Sequence, residues 1–236
     1  MVHQAQQLDS GQEMELIASS ISKIHELEAK HGRPKNSVLL LAVSKKKSPE
    51  QIVKASRLGI SHFGENYLQE AIEKINKLRE LNLKWHYIGS VQSNKTREIA
   101  QSFDWVQSLD REKIALKLNE HRGNNLDALN ICVQVNLSGE RSKSGVSINQ
   151  TEELCKLVEE LPNLKLRGLM AIPAPQSDFQ LQRIKFQELS RKFNALKTNY
   201  PSIDILSMGM SNDFEAAIAE GSTMVRLGTL LFGARL

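Results

Sequence analysis

Short apolar runs alternate with longer segments of helical spacing along most of this chain. Eight runs rich in apolar and β-branched residues indicate buried strands, beginning near residues 39, 61, 85, 105, 129, 164, 203 and 224. The segments between them repeat apolar residues every three or four positions, which predicts helices. Eight such units in about 200 residues favour a closed parallel barrel over an open doubly wound sheet. We therefore expect an α/β protein with a single (β/α)8 TIM-type barrel.

A further helix is predicted before the first strand. Residues 13 to 31 carry apolar side chains at helical spacing, and Gly32 and Pro34 end the pattern. We expect residues 1–236 to form one domain, with residues 1–36 as an N-terminal helical extension.

The first predicted strand ends in a lysine. Its apolar run leads into Ser44 and Lys45, and Ser48 with Pro49 predicts the start of a helix directly afterwards. Functional side chains of such strand–helix units lie at the carboxyl end of the strand. Partial desolvation there would lower the pKa of Lys45 and leave some neutral amine to form a Schiff base with a carbonyl. The alternative is that Lys45 is the first of three solvated lysines.

Two loops after the last strands have the composition of a phosphate site. Barrels frequently bind phosphate with the loops after strands seven and eight. Here these loops contain Ser211, which offers a hydroxyl donor, and Gly228 with Thr229, where the backbone can approach a phosphate closely. Alternatively, Ser211 or Asp213 only caps the next helix and Gly228 only turns the chain.

Arg226 places a permanent charge inside the last apolar strand. A buried arginine is costly unless it reaches the barrel mouth and finds a partner, or forms an ion pair with a strand-end acid such as Glu65. A lysine, a phosphate-binding loop and a cation at one mouth together suit pyridoxal 5′-phosphate (PLP). Its aldehyde needs the amine, and its phosphate and ring nitrogen need partners.

Six motifs in order carry a resemblance to one family. They are Ala42-Val43-Ser44-Lys45, Phe63-Gly64-Glu65-Asn66-Tyr67, Trp85-His86-Tyr87-Ile88-Gly89, Arg167-Gly168-Leu169-Met170-Ala171-Ile172, Ser207-Met208-Gly209-Met210-Ser211 and Val225-Arg226-Leu227-Gly228-Thr229. From residue 39 to residue 235 the sequence resembles the YggS/PROSC family of pyridoxal phosphate homeostasis proteins, whose barrel is similar to the N-terminal domain of alanine racemase.

The resemblance implies a role for each candidate residue. Lys45 would hold PLP as an internal aldimine, Arg226 would face the pyridine nitrogen, and Asn66 would lie beside the cofactor. The phosphate would be held by Ser211, Gly228 and Thr229. It implies intracellular PLP homeostasis, by buffering the cofactor or delivering it to PLP-dependent apo-enzymes.

Independent chemistry favours a carrier over an enzyme. An arginine beside the ring nitrogen disfavours a pyridinium, because adjacent cations repel, and this weakens the cofactor as an electron sink. In the related alanine racemases a tyrosine from a second domain acts as a base on the opposite face, and we expect no counterpart here. A PLP-dependent amino-acid racemase of low activity is the alternative, and a cofactor-free Schiff-base lyase that uses Lys45 is a weaker one.

Composition narrows the remaining classes. The net charge of +4 is modest and spread along predicted helices, so we expect no nucleic-acid partner. No apolar segment approaches the roughly 20 residues that span a bilayer, and the N-terminus lacks a signal-peptide core, so we expect a cytoplasmic protein without a membrane partner. We expect a monomer.

Four further residues and one loop have simpler interpretations. Cys132 and Cys155 lie in apolar patterns and are expected to be buried thiols rather than a disulfide. His62 and His86 lack metal-ligand spacing, and we expect them to pack in the core or at the mouth. The polar loop at residues 138–145 could cover the mouth or receive a partner.

Overall fold

Eight parallel strands close into one barrel, as the sequence predicted. The computed structural model describes residues 10–139 and 144–233. Neighbours in the sheet follow chain order, and the last strand pairs with the first, so no strand edge remains open. The polar loop at residues 138–145, for which the sequence left open a cover over the mouth or a partner site, includes residues 140–143, which lie outside the described part of the chain.

The strands are short and the helices between them cover the outside of the barrel. The strands are β1 (Leu39–Val43), β2 (His62–Glu65), β3 (Lys84–Tyr87), β4 (Trp105–Leu109), β5 (Leu129–Val135), β6 (Leu164–Ala171), β7 (Ile205–Ser207) and β8 (Met224–Leu227). The helices are α1 (Ser10–Lys30), α2 (Pro49–Arg57), α3 (Leu68–Lys77), α4 (Thr96–Ser102), α5 (Glu112–Arg122), α6 (Thr151–Glu160), α7 (Phe179–Asn199), α8 (Phe214–Ala219) and α9 (Thr229–Phe232).

The main core lies between the sheet and its helices. Large side chains such as Phe63, Ile52, Ile99 and Phe186 are fully buried there. Burial of this kind is the main favourable contribution to folding, at roughly 25 cal/mol per Å² of apolar surface. The predicted N-terminal helix exists as α1, which packs against α8 and α9 and so joins the outer layer of the barrel.

The inside of the barrel has a different composition. Its small apolar cluster includes Leu41, Trp105, Cys132 and Met170. Polar side chains share this space, as described below. The two cysteines are free and buried, as expected, and burial raises the pKa of the Cys155 thiol to about 12. Within the described residues, no helix combines the length and apolar character needed to cross a bilayer.

The start of α2 follows the predicted capping chemistry. The Ser48 hydroxyl accepts a hydrogen bond from the Gln51 backbone N–H (3.4 Å), and the Gln51 side chain accepts from the Ser48 N–H (3.1 Å). Pro49 occupies the first helical position. This reciprocal capping box fixes where the helix begins, with its N-cap residue three positions after Lys45.

Candidate functional site

The ends of β1 and β8 bring two of the predicted loops together at the barrel mouth. Leu41 lies opposite Arg226 in the strand register, and Ala42 lies opposite Leu227. One step further, a Cβ atom added to Gly228 would lie 3.3 Å from the Val43 carbonyl oxygen. The lysine that follows β1 is therefore next to the Gly228 loop, as expected from the barrel.

The segment that carries Lys45 is a tight turn between β1 and α2. The Lys47 N–H donates to the Ser44 carbonyl (3.0 Å), and the Lys47 ammonium donates to the Phe232 carbonyl (2.9 Å) at the end of α9. Lys46 has a left-handed backbone (φ 61°). Lys45 is half-buried in this turn. The turn fixes the backbone position from which its side chain starts.

A buried ion network braces this turn from below. Lys74 on α3 is only 4% exposed, and its ammonium donates to the Ser44 carbonyl (2.7 Å), to Glu65 Oε1 (2.8 Å) and to the Glu70 carboxylate. The Ser44 hydroxyl also donates to Glu65 Oε1 (2.7 Å). Glu70 in turn accepts from the Lys46 N–H. Two acids and one lysine thus hold the backbone on both sides of Lys45.

The electrostatics of this network depend on Glu65. Its carboxylate is fully buried, and burial raises its pKa, while the Lys74 ammonium and the Ser44 hydroxyl oppose that rise. The sequence left open an ion pair of Glu65 with Arg226. This pair does not form, and Glu65 pairs with Lys74 instead.

Asn66, the next residue after Glu65, is half-buried at the mouth. Among the described residues, its Oδ1 atom is buried without a hydrogen-bond partner. The backbone around it is tightly packed, since a Cβ atom on Gly89 would lie 2.3 Å from the Asn66 carbonyl oxygen. A buried amide group without a partner is costly, so a ligand that hydrogen-bonds this amide would fit the position.

Arg226 crosses the ends of three strands. It is 4% exposed, and its Nη1 donates to the carbonyl (2.7 Å) and hydroxyl (2.8 Å) of Ser207, while Nη2 donates to the Ala171 carbonyl (2.8 Å). Burial lowers its pKa to about 10, and the Asp213 charge opposes this. The guanidinium therefore stays charged at neutral pH although its direct partners are neutral.

The loop after β7 is anchored to Arg226 and to α8. The Arg226 N–H donates to the Gly209 carbonyl (2.9 Å), and Gly209 has a left-handed backbone (φ 96°) with α8 packed against it. Asp213 precedes α8, but its carboxylate accepts from the Met210 N–H (2.6 Å) and makes no helix-cap bond. Asp213 therefore shapes the loop in which Ser211 lies half-buried.

The loop after β8 completes the predicted set. Gly228 is the residue before the short helix α9, and Thr229 is its first, exposed residue. The first N–H groups of a helix have no partner within it. Ser211, Gly228 and Thr229 thus follow adjacent strands of the sheet, on the side of the mouth that Arg226 occupies.

The two histidines are interior packing groups. His86 is fully buried, its ring stacks on Trp105 at 4.9 Å between centroids, and it hydrogen-bonds His62 (2.8 Å). Over residues 10–139 and 144–233, no three His, Cys, Asp or Glu side chains are grouped to hold a metal ion.

Sequence reasoning missed two kinds of residue. It assigned no role to Lys74, although Glu70 lies four residues before it, a spacing that brings opposite charges together on a helix. It also passed over Gln107 and Ser207, polar residues within buried strands, a placement that usually requires hydrogen-bond partners.

Comparisons with known proteins agree with this geometry. Residues 22–236 match the model of the alanine racemase N-terminal domain family. The pyridoxal phosphate homeostasis protein of Escherichia coli (strain K12) is 49% identical over 222 residues, which cover 93% of this chain and 95% of the relative. That of Vibrio cholerae is 50% identical over 218 residues, covering 91% and 92%.

A solved structure extends the likeness to three dimensions. PipY of Synechococcus elongatus, solved with PLP bound, matches with a TM-score of 0.81 and 35% sequence identity, over 94% of this chain and all of that one. With its closed barrel, its lysine after the first strand and these matches, the chain belongs to the family of pyridoxal phosphate homeostasis proteins.

Proposed function

We propose that this protein binds PLP at the barrel mouth, with Lys45 as the covalent attachment point, and takes part in PLP homeostasis by buffering or delivering the cofactor. The observation that carries the proposal is the shared mouth of Lys45 and Arg226, which the pairing of Leu41 with Arg226 brings onto neighbouring strands. The names of the curated relatives and PLP in PipY support it.

The residues present fit each part of this cofactor. Lys45 supplies an amine on a turn that Lys74 braces. Asn66 offers an amide whose buried Oδ1 has no partner within the described chain. Ser211 offers a hydroxyl, and Gly228 and Thr229 offer backbone N–H groups, for a phosphate. We assign these residues together as the PLP site.

Bound PLP supplies an aldehyde that captures amines and a ring that withdraws electrons. Arg226 decides how strongly the ring can do so. Its guanidinium remains charged near neutral pH, so it would donate a hydrogen bond to the ring nitrogen of bound PLP and would oppose a proton at that atom. A ring without that proton stabilises carbanions weakly, which favours a carrier over a racemase.

The tyrosines also favour a carrier. The Tyr87 hydroxyl donates to the Ser90 carbonyl (3.3 Å), and burial raises its pKa. Tyr200 lies at the C-terminal end of α7, just before β7 begins. It is therefore at the end of the barrel opposite the mouth. Tyr67 is half-exposed at the rim.

We propose a non-catalytic, cytoplasmic, monomeric protein that passes PLP to apo-enzymes.

The first experiment compares Lys45→Ala with Lys46→Ala, its exposed neighbour in the same turn. Purified wild type and Lys46→Ala, incubated with PLP, are expected to show a visible absorption band and to retain the cofactor covalently after borohydride reduction. Lys45→Ala is expected to lose the reduced adduct, which peptide mass spectrometry locates. A wild type that takes up no PLP would overturn the proposal.

A second experiment separates delivery from turnover. PLP-loaded protein is mixed with an excess of a PLP-dependent apo-enzyme, and recovery of that enzyme's activity is followed against free PLP. Delivery predicts transfer on a timescale of minutes. Rapid exchange of the α-hydrogen of alanine with solvent deuterium would instead support a racemase.

A further inference from the structure

A column of polar side chains runs through the otherwise apolar barrel interior. The Arg226 guanidinium donates to Ser207 Oγ (2.8 Å), the Ser207 hydroxyl donates to Gln107 Oε1 (2.6 Å), and Gln107 Nε2 meets His86 Nδ1 (2.8 Å). His86 Nε2 then meets His62 Nδ1 (2.8 Å). Ser207, Gln107 and His86 are fully buried, so the first three links are shielded from water, and the last link is part-buried because His62 is half-buried.

The first links fix the direction of the hydrogen bonds. An arginine can only donate, so Ser207 accepts from Arg226 and keeps its own hydrogen for Gln107 Oε1. The Gln107 amide must then present its N–H₂ group to His86. Met224 confirms this orientation, because its sulfur, an acceptor only, lies 3.1 Å from Gln107 Nε2.

The same direction continues through the histidines. Because His86 Nδ1 accepts from Gln107, a neutral His86 ring carries its hydrogen on Nε2 and donates it to His62 Nδ1. Burial lowers the pKa of His86 well below its ordinary value, which keeps this ring neutral. All four hydrogen bonds therefore point from Arg226 towards His62.

We propose that Ser207, Gln107 and His86 are positioning residues that hold Arg226 for the cofactor ring, and that they couple this anchor to the protonation of His62 at the opposite end of the barrel. This inference rests on the proposed PLP site. It adds His62, a residue outside the PLP site, as a group whose protonation changes cofactor binding.

His62 is the first residue of β2, at the N-terminal end of the strands, and is half-buried. The groups that face it are His86 and Lys84 on β3, Asp104 before β4 and Arg167 on β6. Burial, Lys84 and Arg167 lower its pKa, and Asp104 raises it. Asp104 thus provides the local reason for a proton to enter at this end.

A proton on His62 Nδ1 would reverse the last link. His86 would then have to accept on Nε2 and donate from Nδ1, Gln107 would have to turn over, and both Gln107 and Arg226 would donate to Ser207. The Ser207 hydroxyl hydrogen would then lose its acceptor, Gln107 Oε1. The column consequently favours neutral His62 while Arg226 is held, and by linkage PLP binding and His62 protonation oppose each other.

The first test uses the wild-type protein without cofactor. Nitrogen-15 NMR of the imidazole rings, through two-bond couplings, distinguishes the two neutral tautomers. We expect His86 to be the Nε2–H tautomer and to stay neutral from pH 8 to pH 5.5, with His62 carrying its hydrogen on Nε2 at pH 8. An Nδ1–H tautomer at His86, or a protonated His86 in this range, would overturn the column.

The second test compares Ser207→Ala with Ser222→Ala, a fully buried serine outside the column whose hydroxyl donates to backbone carbonyls. In wild type and Ser222→Ala we expect PLP saturation to lower the titration midpoint of His62, by about half a pH unit. In Ser207→Ala we expect about tenfold weaker PLP binding and no such shift.

Two outcomes separate this inference from the proposed function. If Ser207→Ala folds, binds PLP as tightly as Ser222→Ala and shows the same His62 shift, the positioning role is wrong while the PLP site stands. If wild type binds no PLP, the proposed function and the coupling both fail. The tautomer measurement needs neither PLP nor a variant, so it decides the column itself in either case.

Discussion

Two cations at the barrel mouth, Lys74 and Arg226, are equally buried but are held in opposite ways. Each is 4% exposed. Lys74 has two carboxylates, Glu65 and Glu70, within ion-pair distance. The direct partners of Arg226 are two carbonyls and a hydroxyl, and within residues 10–139 and 144–233 no carboxylate pairs with it.

This difference separates a structural cation, Lys74, from the cation that we assign to the proposed PLP site, Arg226. The charge of Lys74 is neutralised by Glu65 and Glu70 inside the fold. Its ion pairs therefore stabilise the turn that carries Lys45. The charge of Arg226 is stabilised by neutral hydrogen-bond acceptors, which leave its positive electrostatic potential uncancelled. A positive potential suits a group that we propose acts on a bound molecule. The predictions below remove each cation or its support, from the largest expected effect to the smallest.

Lys74→Met should have the largest effect on stability. It leaves the buried Glu65 carboxylate without its cation, and breaking a buried pair in this way costs about 3–5 kcal/mol. Urea denaturation at pH 8 measures the change. Lys77→Met, an exposed lysine on the same helix, should change stability by less than about 0.5 kcal/mol. A loss below about 1 kcal/mol for Lys74→Met would show that the network does not hold the turn.

The loss in Lys74→Met should shrink as the pH falls. Burial already raises the pKa of Glu65 above its ordinary value of 4.5 in the folded protein, and removal of Lys74 raises it further. The folded state then binds a proton that the unfolded state has released, so the stability contribution of Glu65 falls as pH rises above about 4.5. Denaturation at pH 5 should therefore give a smaller difference from wild type than at pH 8.

Arg226→Gln should reverse the pattern, with a large effect on ligand binding and a small one on folding. Its direct hydrogen-bond partners are neutral acceptors, and only the Asp213 carboxylate loses a favourable charge, so we expect a stability loss below about 2 kcal/mol. Loss of a charged hydrogen bond to the ring nitrogen should weaken PLP binding by about 1.5–3 kcal/mol. Spectrophotometric titration measures this, with exposed Arg191→Gln as the control. An unchanged dissociation constant would remove Arg226 from the site.

The sequence predicted the parts of this mouth that depend on the order of strands. Alternating apolar and helical segments determine the barrel, and a barrel brings the ends of its first and last strands together. The sequence alone therefore places Lys45 and Arg226 at one mouth. The start of α2 was equally accessible, because Ser48, Pro49 and Gln51 form a local signal.

The partners of these residues could not be predicted in the same way. Glu65 could pair with any cation at the mouth, and the choice of Lys74 over Arg226 depends on how α3 packs on the sheet. Helical spacing shows that Lys74 and Glu70 share a face, but not that this face is buried. Likewise, Gln107 meets Ser207 across the barrel interior, a contact set by closure of the sheet.

Ser48→Ala tests the capping box at the N-terminus of α2, next to the turn that carries Lys45. The capping box would be lost, which costs about 1 kcal/mol, whereas Ser48→Asp should retain most of the stability because a carboxylate also accepts at this position. Chemical denaturation measures both. Ser56→Ala in the same helix, whose hydroxyl donates only to the Val53 carbonyl, is the control. Equal losses at Ser48 and Ser56 would contradict a special role for the cap.

Asp213→Asn should have the smallest effect, on the Arg226 side. The amide oxygen can still accept from the Met210 N–H, so we expect stability to change by about 0.5 kcal/mol or less. The substitution removes a negative charge close to the proposed phosphate loop, so PLP should bind slightly tighter, while pyridoxal, which lacks the phosphate, should not. Burial raises the pKa of Asp213 above its ordinary value, so the difference between the two proteins should narrow as the pH falls and wild type loses this charge. An equal gain for pyridoxal would mean that Asp213 acts through Arg226 on the ring rather than on the phosphate.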